Sequence, residues 1–348
     1  MKNNIMKIPL LDYLEQLSED DKKDLYQLLR KDLHGITLEN IKDIRSEQIV
    51  NKPISCPHCN SEKIIGFGSY REKKRFRCKS CSKTFNEMTG TPMSNLKKTD
   101  KFSDYLELFS QRLSLRDLAT KLEISVRTAF DWRHKILTAL SNYNGGYFDG
   151  IVESDDKQFE FSEKGRKDLK RKPYKRPSDR EKEQGNTNKK VVVVVSSDRK
   201  NNRDITLAKF GRIDKKSLAT IFEEKITDKN KLCTDSHYSY RGWANDSNIE
   251  HHYFTANQKK HVKDKVYHIQ HVNSLDNKME RWFKKFWGVA TKYLQGYLNW
   301  FKIEEKLKNS ENILYEFITI LVSSNKSFIQ FRTIEQSYQV CLNAKRFI

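Results

Sequence analysis

Residues 151–161 read IVESDDKQFEF. Val152 and Phe159 flank Asp155 in what reads as a β-strand, with Glu153 and Asp156 beside it, and acids are unusual in strands. The segments KKVVVVVSSD (189–198) and DITLAKF (204–210) read as two further strands. A helix is predicted at KKSLATIFEEKI (215–226), then a short strand, KLCTD (231–235), with Asp235 at its end. A strand cluster followed by alternating helix and strand implies an α/β domain. Between the first two strands, residues 164–182 hold ten Lys and Arg in nineteen positions, too polar to pack and expected to form a solvent-exposed loop or a phosphate clamp. The last third is helical in pattern, first through KMERWFKKFWGVATKYLQGYLNWFKIEEKL and again at ENILYEFITILVSS.

Upstream, SLRDLATKLEISVRTAFDWRHKILTAL (114–140) predicts two helices joined by a tight turn. Leu115, Leu118, Ala119, Leu122, Ile124, Val126, Ala129, Phe130, Trp132 and Ile136 supply the apolar pattern, and Ser125 is placed to cap the second helix. Arg127, Thr128, Asp131, Arg133 and Lys135 are expected to project outward, so that this helix-turn-helix would set Arg127, Thr128 and Arg133 against a DNA major groove. The alternative is a plain helical hairpin.

Further upstream, CPHC at 56–59 and CKSC at 78–81 are separated by eighteen residues, the spacing of a zinc ribbon. Cys56, Cys59, Cys78 and Cys81 would close a tetrahedral thiolate site with no open position, hence a structural zinc. Phe76 and Phe85 flank the second pair in strand-like stretches, and Arg71, Lys73, Lys74, Arg75, Arg77 and Lys79 point to DNA contact. His58 is expected to face solvent, and Cys233 and Cys341 to be small buried hydrophobes. The segment LLDYLEQLSEDDKKDLYQLLRKDL (10–33) is helical in pattern, with Ser18 a candidate cap, and NEMTGTPMSNLKK (86–98) reads as a linker.

The 348 residues carry 66 Lys plus Arg against 46 Asp plus Glu, a formal charge of +20, and 36% are hydrophobic. Mean hydropathy is −0.81. No apolar run approaches the roughly 18 residues that cross a bilayer, so no membrane partner is expected. The opening MKNNIMKIPLLDYLEQL reads as an amphipathic helix rather than an export signal, and the expected compartment is the bacterial cytoplasm, at the nucleoid. The positive excess favours a polyanionic partner, nucleic acid first.

Three acidic positions separated in sequence complete the pattern: Asp155 in the first strand, Asp235 at the end of another, and the stretch HVNSLDNKMERWFKK, where Asn273, Asp276, Asn277 and Glu280 share one helical face. Phosphodiester chemistry needs hard oxygen ligands holding two Mg²⁺ about 4 Å apart. Three strands, a helix, a further strand and late helices are close to a ribonuclease-H-like order.

The cysteine pairs, the helix-turn-helix, VESDDKQF, CTDSHYSY and YHIQHVNSLDNKMERWFKKFWGVATKYLQGYL together resemble a zinc-ribbon DDE-type transposase of a bacterial insertion sequence, over roughly residues 35–305. The resemblance implies a ribonuclease-H-like core that cleaves and joins DNA with Mg²⁺ or Mn²⁺, and recognition of terminal inverted repeats as well as target DNA. It further implies at least a dimer on DNA. By that likeness Asp155 and Asp235 are the first two metal ligands. Family members carry Glu or, in one branch, Asn as the third; here the Glu position of the H-x-N-x-x-E arrangement holds Asp276. Asn273 is therefore the first candidate, Asp276 the second and Glu280 the third, with Lys284 or Lys285 as the basic partner. The expected layout is multidomain: a helical N-terminal region (1–52), zinc ribbon (53–90), helix-turn-helix (100–145), ribonuclease-H-like catalytic domain (146–305) and helical C-terminal tail (306–348). Two rival readings are a DNA-binding regulator without catalysis and a recombinase with a nucleophilic Tyr or Ser.

Overall fold

A computed structural model gives the architecture and describes residues 38–51, 55–70, 73–143, 146–169, 190–255, 262–286, 288–323 and 327–348, with residues 15, 17–19, 21, 22 and 172 besides. Most of the basic segment 164–182 and most of the first helical stretch thus lie outside the described residues. Ser18 Oγ does accept from Asp21 N at 3.1 Å, the cap anticipated there.

Helix α1 (Leu38–Asn51) precedes a three-stranded antiparallel sheet of β1 (Ile64–Tyr70), β2 (Lys73–Cys78) and β3 (Thr84–Asn86). Phe76 and Phe85 face each other across β2 and β3 with ring centroids 5.7 Å apart, and with Ile64 they cover the buried Cys56 and Cys78. Each cysteine knuckle closes the same way. Asn60 N donates to Cys56 O and Ser82 N to Cys78 O, and both Asn60 and Ser82 take the left-handed conformation, φ 60° and 59°, which Asn adopts more readily than most residues.

Helices α2 (Thr99–Phe109), α3 (Leu115–Lys121) and α4 (Val126–Leu140) follow. Ser114 and Ser125 cap α3 and α4, accepting from Asp117 N and Thr128 N, each such cap worth about 1 kcal/mol. Trp132 on α4 meets the edges of Phe102 and Tyr105 on α2 at 5.1 and 5.4 Å, and Tyr105 donates its hydroxyl proton to Ala129 O at 2.8 Å. Two expectations fail on α4. Val126, read as apolar core, is 48% exposed, whereas Arg133 and Lys135, read as outward, are buried and donate to Leu113 O and Ser94 O. The reason is a second layer that local periodicity does not reveal: helices from the end of the chain cover the face that would otherwise be solvent.

The central sheet has five strands, β4 (Ile151–Glu160), β5 (Lys190–Asp198), β6 (Arg203–Phe210), β7 (Lys231–Asp235) and β8 (Glu250–Phe254), ordered β6-β5-β4-β7-β8. The first three pair antiparallel; β7 and β8 run parallel to β4. The unbroken valine run of β5 reflects burial on both faces. Val192 and Val194 pack with α5 (Lys215–Phe222) and α6 (Tyr238–Asp246) through Leu218, Phe222, Tyr240 and Trp243. Val191, Val193 and Val195 pack on the side of α7 (Gln270–Lys284) and α8 (Thr291–Leu307). Each fully buried valine contributes roughly 1.5–3 kcal/mol.

Helix α8 joins sheet to bundle. Its Trp300 stacks on Phe109 at 4.0 Å, and Gly296 lets it approach α4 closely, since a Cβ there would lie 3.1 Å from Leu137 Cβ. Trp282, Tyr297, Trp300 and Phe301 are buried in this core. Residues beyond 306 form α9 (Ile313–Ser323) and α10 (Ser327–Ala344). Phe317, Ile318, Leu321 and Val322 of α9 enter the same apolar cluster, and Phe347 N donates to Ala208 O on the edge of β6. Among the described residues no helix is long and apolar enough to cross a membrane.

Candidate active site and metal centres

The parallel pairing of β4 with β7 runs Ile151↔Lys231, Val152↔Leu232 and Glu153↔Cys233. The same register carried forward sets Asp155 level with Asp235, just where the ladder ends and the strands part. Asp235 Oδ1 accepts from His237 N at 3.0 Å as the chain turns into α6. On α7, Val272, Leu275, Met279 and Trp282 form the face against the sheet. Asp276 belongs to that buried face, at 8% exposure.

Asp155, Asp156, Asp235 and Asp276 share one electrostatic neighbourhood. Burial raises the Asp155 carboxyl to about 7, with Asp156 and Asp235 adding repulsion. Burial and then Asp155 raise Asp276 to about 7, and burial with Asp235 and Asp276 raises Asp156 to about 6. Among the described residues Asp276 Oδ1 is buried and has no hydrogen-bond partner. A cluster of carboxylates with raised affinity for positive charge and an unsatisfied oxygen fits a hard divalent cation such as Mg²⁺ or Mn²⁺.

Asn273, the first candidate for the third position, points elsewhere. It is exposed and lines an open trough on α7 with Gln270, Asn277, Glu280 and Lys284. At 100° per residue Asn273 and Asp276 are about 60° apart around the helix, and the border between buried and exposed falls between them. Glu280 is also exposed and pairs with Lys157 at 3.2 Å. Lys284 and Lys285 are exposed near the C-terminal end of α7. Asp156 and Lys157 were not singled out as site residues, although adjacency to Asp155 was their visible signal.

Two positions before Asp155, on the same face of β4, Glu153 is 1% exposed yet fully engaged. Its Oε2 accepts from the backbone amides of His271 at 2.8 Å and Val272 at 3.1 Å; its Oε1 meets His271 Nδ1 at 2.7 Å and Arg199 Nη1 at 2.6 Å. His268 Nε2 lies 3.1 Å from the same guanidinium, and Arg199 Nη2 donates to Val266 O. Glu153, His268 and His271 bring ligand atoms within 4.8 Å of one another, but Arg199 already supplies the positive charge there. This group was missed from sequence; a Glu inside an otherwise covered strand was the clue.

In the ribbon, the sulfurs of Cys56, Cys59, Cys78 and Cys81 lie within 4.8 Å of one another, with Cys56–Cys81 and Cys59–Cys78 both at 3.6 Å. A tetrahedron with Zn–S bonds of about 2.3 Å has edges of about 3.8 Å, so the donor set fits zinc. His58 is exposed and outside the quartet. The opposite face of β1 and β2 is open: Ile65, Phe67 and Tyr70 are exposed, and the guanidinium groups of Arg75 and Arg77 lie 5.3 and 5.6 Å from the Phe67 ring centre. On α4 only the first turn is presented to solvent, with Arg127 82% exposed and Thr128 half-buried.

Residues 147–303 match the family described as ISXO2-like transposase domain. A protein of Halobacterium salinarum described as an uncharacterized protein in transposable element ISH50 is 24% identical over 258 residues, covering 73% of this chain and 86% of the relative. Among solved structures, a pre-cleavage Mos1 transpososome matches at TM-score 0.24 and 12% identity, over 69% of this chain and 80% of its own. The mariner Mos1 paired-end complex with Mg matches at TM-score 0.26 and 14% identity, over 70% and 80%; superpositions this loose carry no argument. The family match spans the five-stranded sheet, α7 and the acids described above, from β4 into α8. Residues 147–303 thus match an ISXO2-like transposase domain, and the chain is similar to a protein of a transposable element along most of its length.

Proposed function

We propose that the chain cleaves DNA at the terminal inverted repeats of its element and joins the freed ends to target DNA, with Asp155, Asp235 and Asp276 holding Mg²⁺ or Mn²⁺. The observation that carries this reading is Asp276 Oδ1, buried without a partner in the repulsive field of Asp155. The bound cations would act as Lewis acids on the attacking and leaving oxygens. Water attacks the phosphodiester, the 3′ oxygen departs and takes a proton, and the resulting 3′ hydroxyl then attacks a target phosphodiester in line. Asp276, rather than Asn273, is the third ligand, because a carboxylate brings charge that an amide lacks. Lys157 sits between the site and Glu280 and is the basic side chain best placed to take a phosphate oxygen.

The four cysteines hold zinc in a closed, structural site. DNA is met by Phe67, Arg75 and Arg77 of the ribbon, by Arg127 and Thr128 at the start of α4, and by Lys284 and Lys285 on α7; Arg133 is withdrawn from that set. Handling two ends in one event calls for at least a dimer on DNA. The test is cleavage of a labelled duplex bearing the element's terminal repeat, in Mg²⁺ or Mn²⁺. Wild type should cut at the repeat boundary, and Asp155→Ala, Asp235→Ala and Asp276→Asn should each lose at least about 100-fold while still binding the end. Tight binding without cutting by any of them would favour the regulator.

A further inference from the structure

The mechanism leaves the most deeply buried carboxylate of the catalytic unit unused. Glu153 and Asp155 lie two residues apart on one face of β4, and both look toward α7. Asp276 lies one and a half turns into that helix, so whatever fixes the start of α7 fixes the distance between two of the three ligands. Ile269 stands at the N-cap position and offers no side-chain cap, and the neighbouring His268 Nδ1 accepts only from Gln270 N, at 3.3 Å, so the amides that a Ser, Thr, Asp or Asn cap would satisfy must look elsewhere.

We propose that Glu153 is a positioning residue of the active site, a cap supplied from the sheet that locks the first turn of α7 to β4 and thereby holds Asp276 against Asp155. Oε2 takes the amides of His271 and Val272, at 2.8 and 3.1 Å. Oε1 takes His271 Nδ1 and Arg199, and Arg199 in turn reaches His268 and Val266 O in the segment leading into α7. A carboxylate at this end of a helix is also favoured by the helix dipole. Both oxygens are therefore spent on one geometric task, and the charge is balanced by Arg199, so that it does not add to the repulsion among Asp155, Asp235 and Asp276. The inference rests on the reading of Asp155 and Asp276 as metal ligands.

The experiment uses the full, zinc-loaded chain and its Glu153→Gln, Glu153→Asp and Asp276→Asn variants. Mn²⁺ binding is titrated by the paramagnetic resonance of free Mn²⁺, amide exchange is followed at 271 and 272, and cleavage is measured against metal concentration. Both Glu153 variants should bind Mn²⁺ roughly 10–100-fold more weakly and exchange the two amides faster. At saturating metal their cleavage rates should approach wild type, a shift in the metal requirement rather than in the maximal rate. Glu153→Asp keeps the charge facing Arg199 but is one methylene short of the amides. If that variant binds Mn²⁺ as wild type does, Glu153 serves the fold alone and the proposal is overturned. Should Glu153→Gln fail to fold, the Asp variant decides by itself. Loss of one bound equivalent with unchanged affinity for the rest would also overturn it, by making Glu153, His268 and His271 a metal site. Asp276→Asn separates the two layers: wild-type binding and cutting by that variant would sink the ligand reading itself, whereas an inactive Asp276→Asn beside Glu153 variants of normal metal dependence would remove only the positioning role.

Discussion

The ribbon and the catalytic sheet solve opposite problems with clustered ligands. In the ribbon the four sulfurs are the interior: Cys56 and Cys78 are fully buried, and little besides Phe85, Phe76 and Ile64 surrounds them. The sheet has two apolar layers of its own, and its acids sit at the margin of that core, where β4 and β7 part, with Asp276 buried. One region would depend on a bound metal for its structure; the other would be relieved of strain if its ligands were removed. A closed thiolate quartet and an open carboxylate group thus place metal at opposite ends of the trade between stability and function.

The largest effect should come from breaking the first half of that comparison. Cys78→Ser, or stripping zinc, should unfold the ribbon, since structural zinc carries about 10–16 kcal/mol in small domains, yet leave the thermal transition of the sheet in place. Local hydrogen exchange would then show residues 55–86 unprotected and β4 to β8 unchanged. A common transition for both would erase the contrast.

Next, Asp276→Asn should abolish cleavage and at the same time raise the metal-free melting temperature, by roughly 2–4 °C for each kcal/mol of repulsion removed. Calorimetry in a chelator checks it; a destabilised variant would mean that Asp276 is a structural acid.

Burial, with that repulsion added, sets a pH dependence. In the folded, metal-free chain Asp155 and Asp276 titrate near 7 and Asp156 near 6, against about 3.9 for an unfolded Asp. Between about pH 4 and pH 7 the folded state holds more protons than the unfolded one, so stability falls as pH rises through that window and levels off above it. Saturating Mg²⁺ should flatten the slope, and the stabilisation by Mg²⁺ should be greater at pH 8 than at pH 5. Melting curves over pH with and without the ion test the sign.

Two smaller contrasts refine the DNA-facing surfaces. Arg133→Ala should cost stability, about 1–3 kcal/mol for a buried bond lost, whereas Arg127→Ala should leave the melting point alone and lower the salt dependence of end binding by about one unit. Asn273→Ala should change the cleavage rate least, by no more than about threefold on the estimate for an exposed polar group.

The same particulars measure how far the sequence could be read. The valine run, the strand-end Asp235 and the cysteine spacing are local signals, legible because period, turn and knuckle geometry are set by neighbours along the chain. Arg133 and Lys135 were misjudged because α8, α9 and α10 cover α4 from more than a hundred residues away. The choice between Asn273 and Asp276 turned on about 60° of helix rotation, which only packing against the sheet determines. Glu153 was visible as an oddity in a covered strand, but its partners, His271 and Arg199, are remote in sequence.

The bond from Arg45 Nη1 to Val322 O, at 2.6 Å, spans 277 positions. Together with Gln48 Nε2 to Thr319 O it fastens α1 to α9, so the bundle around α4 is closed by contacts between segments far apart in sequence. During synthesis α4 is made long before its cover. The inner face carrying Arg133 and Lys135 is therefore closed only once α8 has brought Trp300 over Arg133 and α10 has brought Phe328 against Lys135.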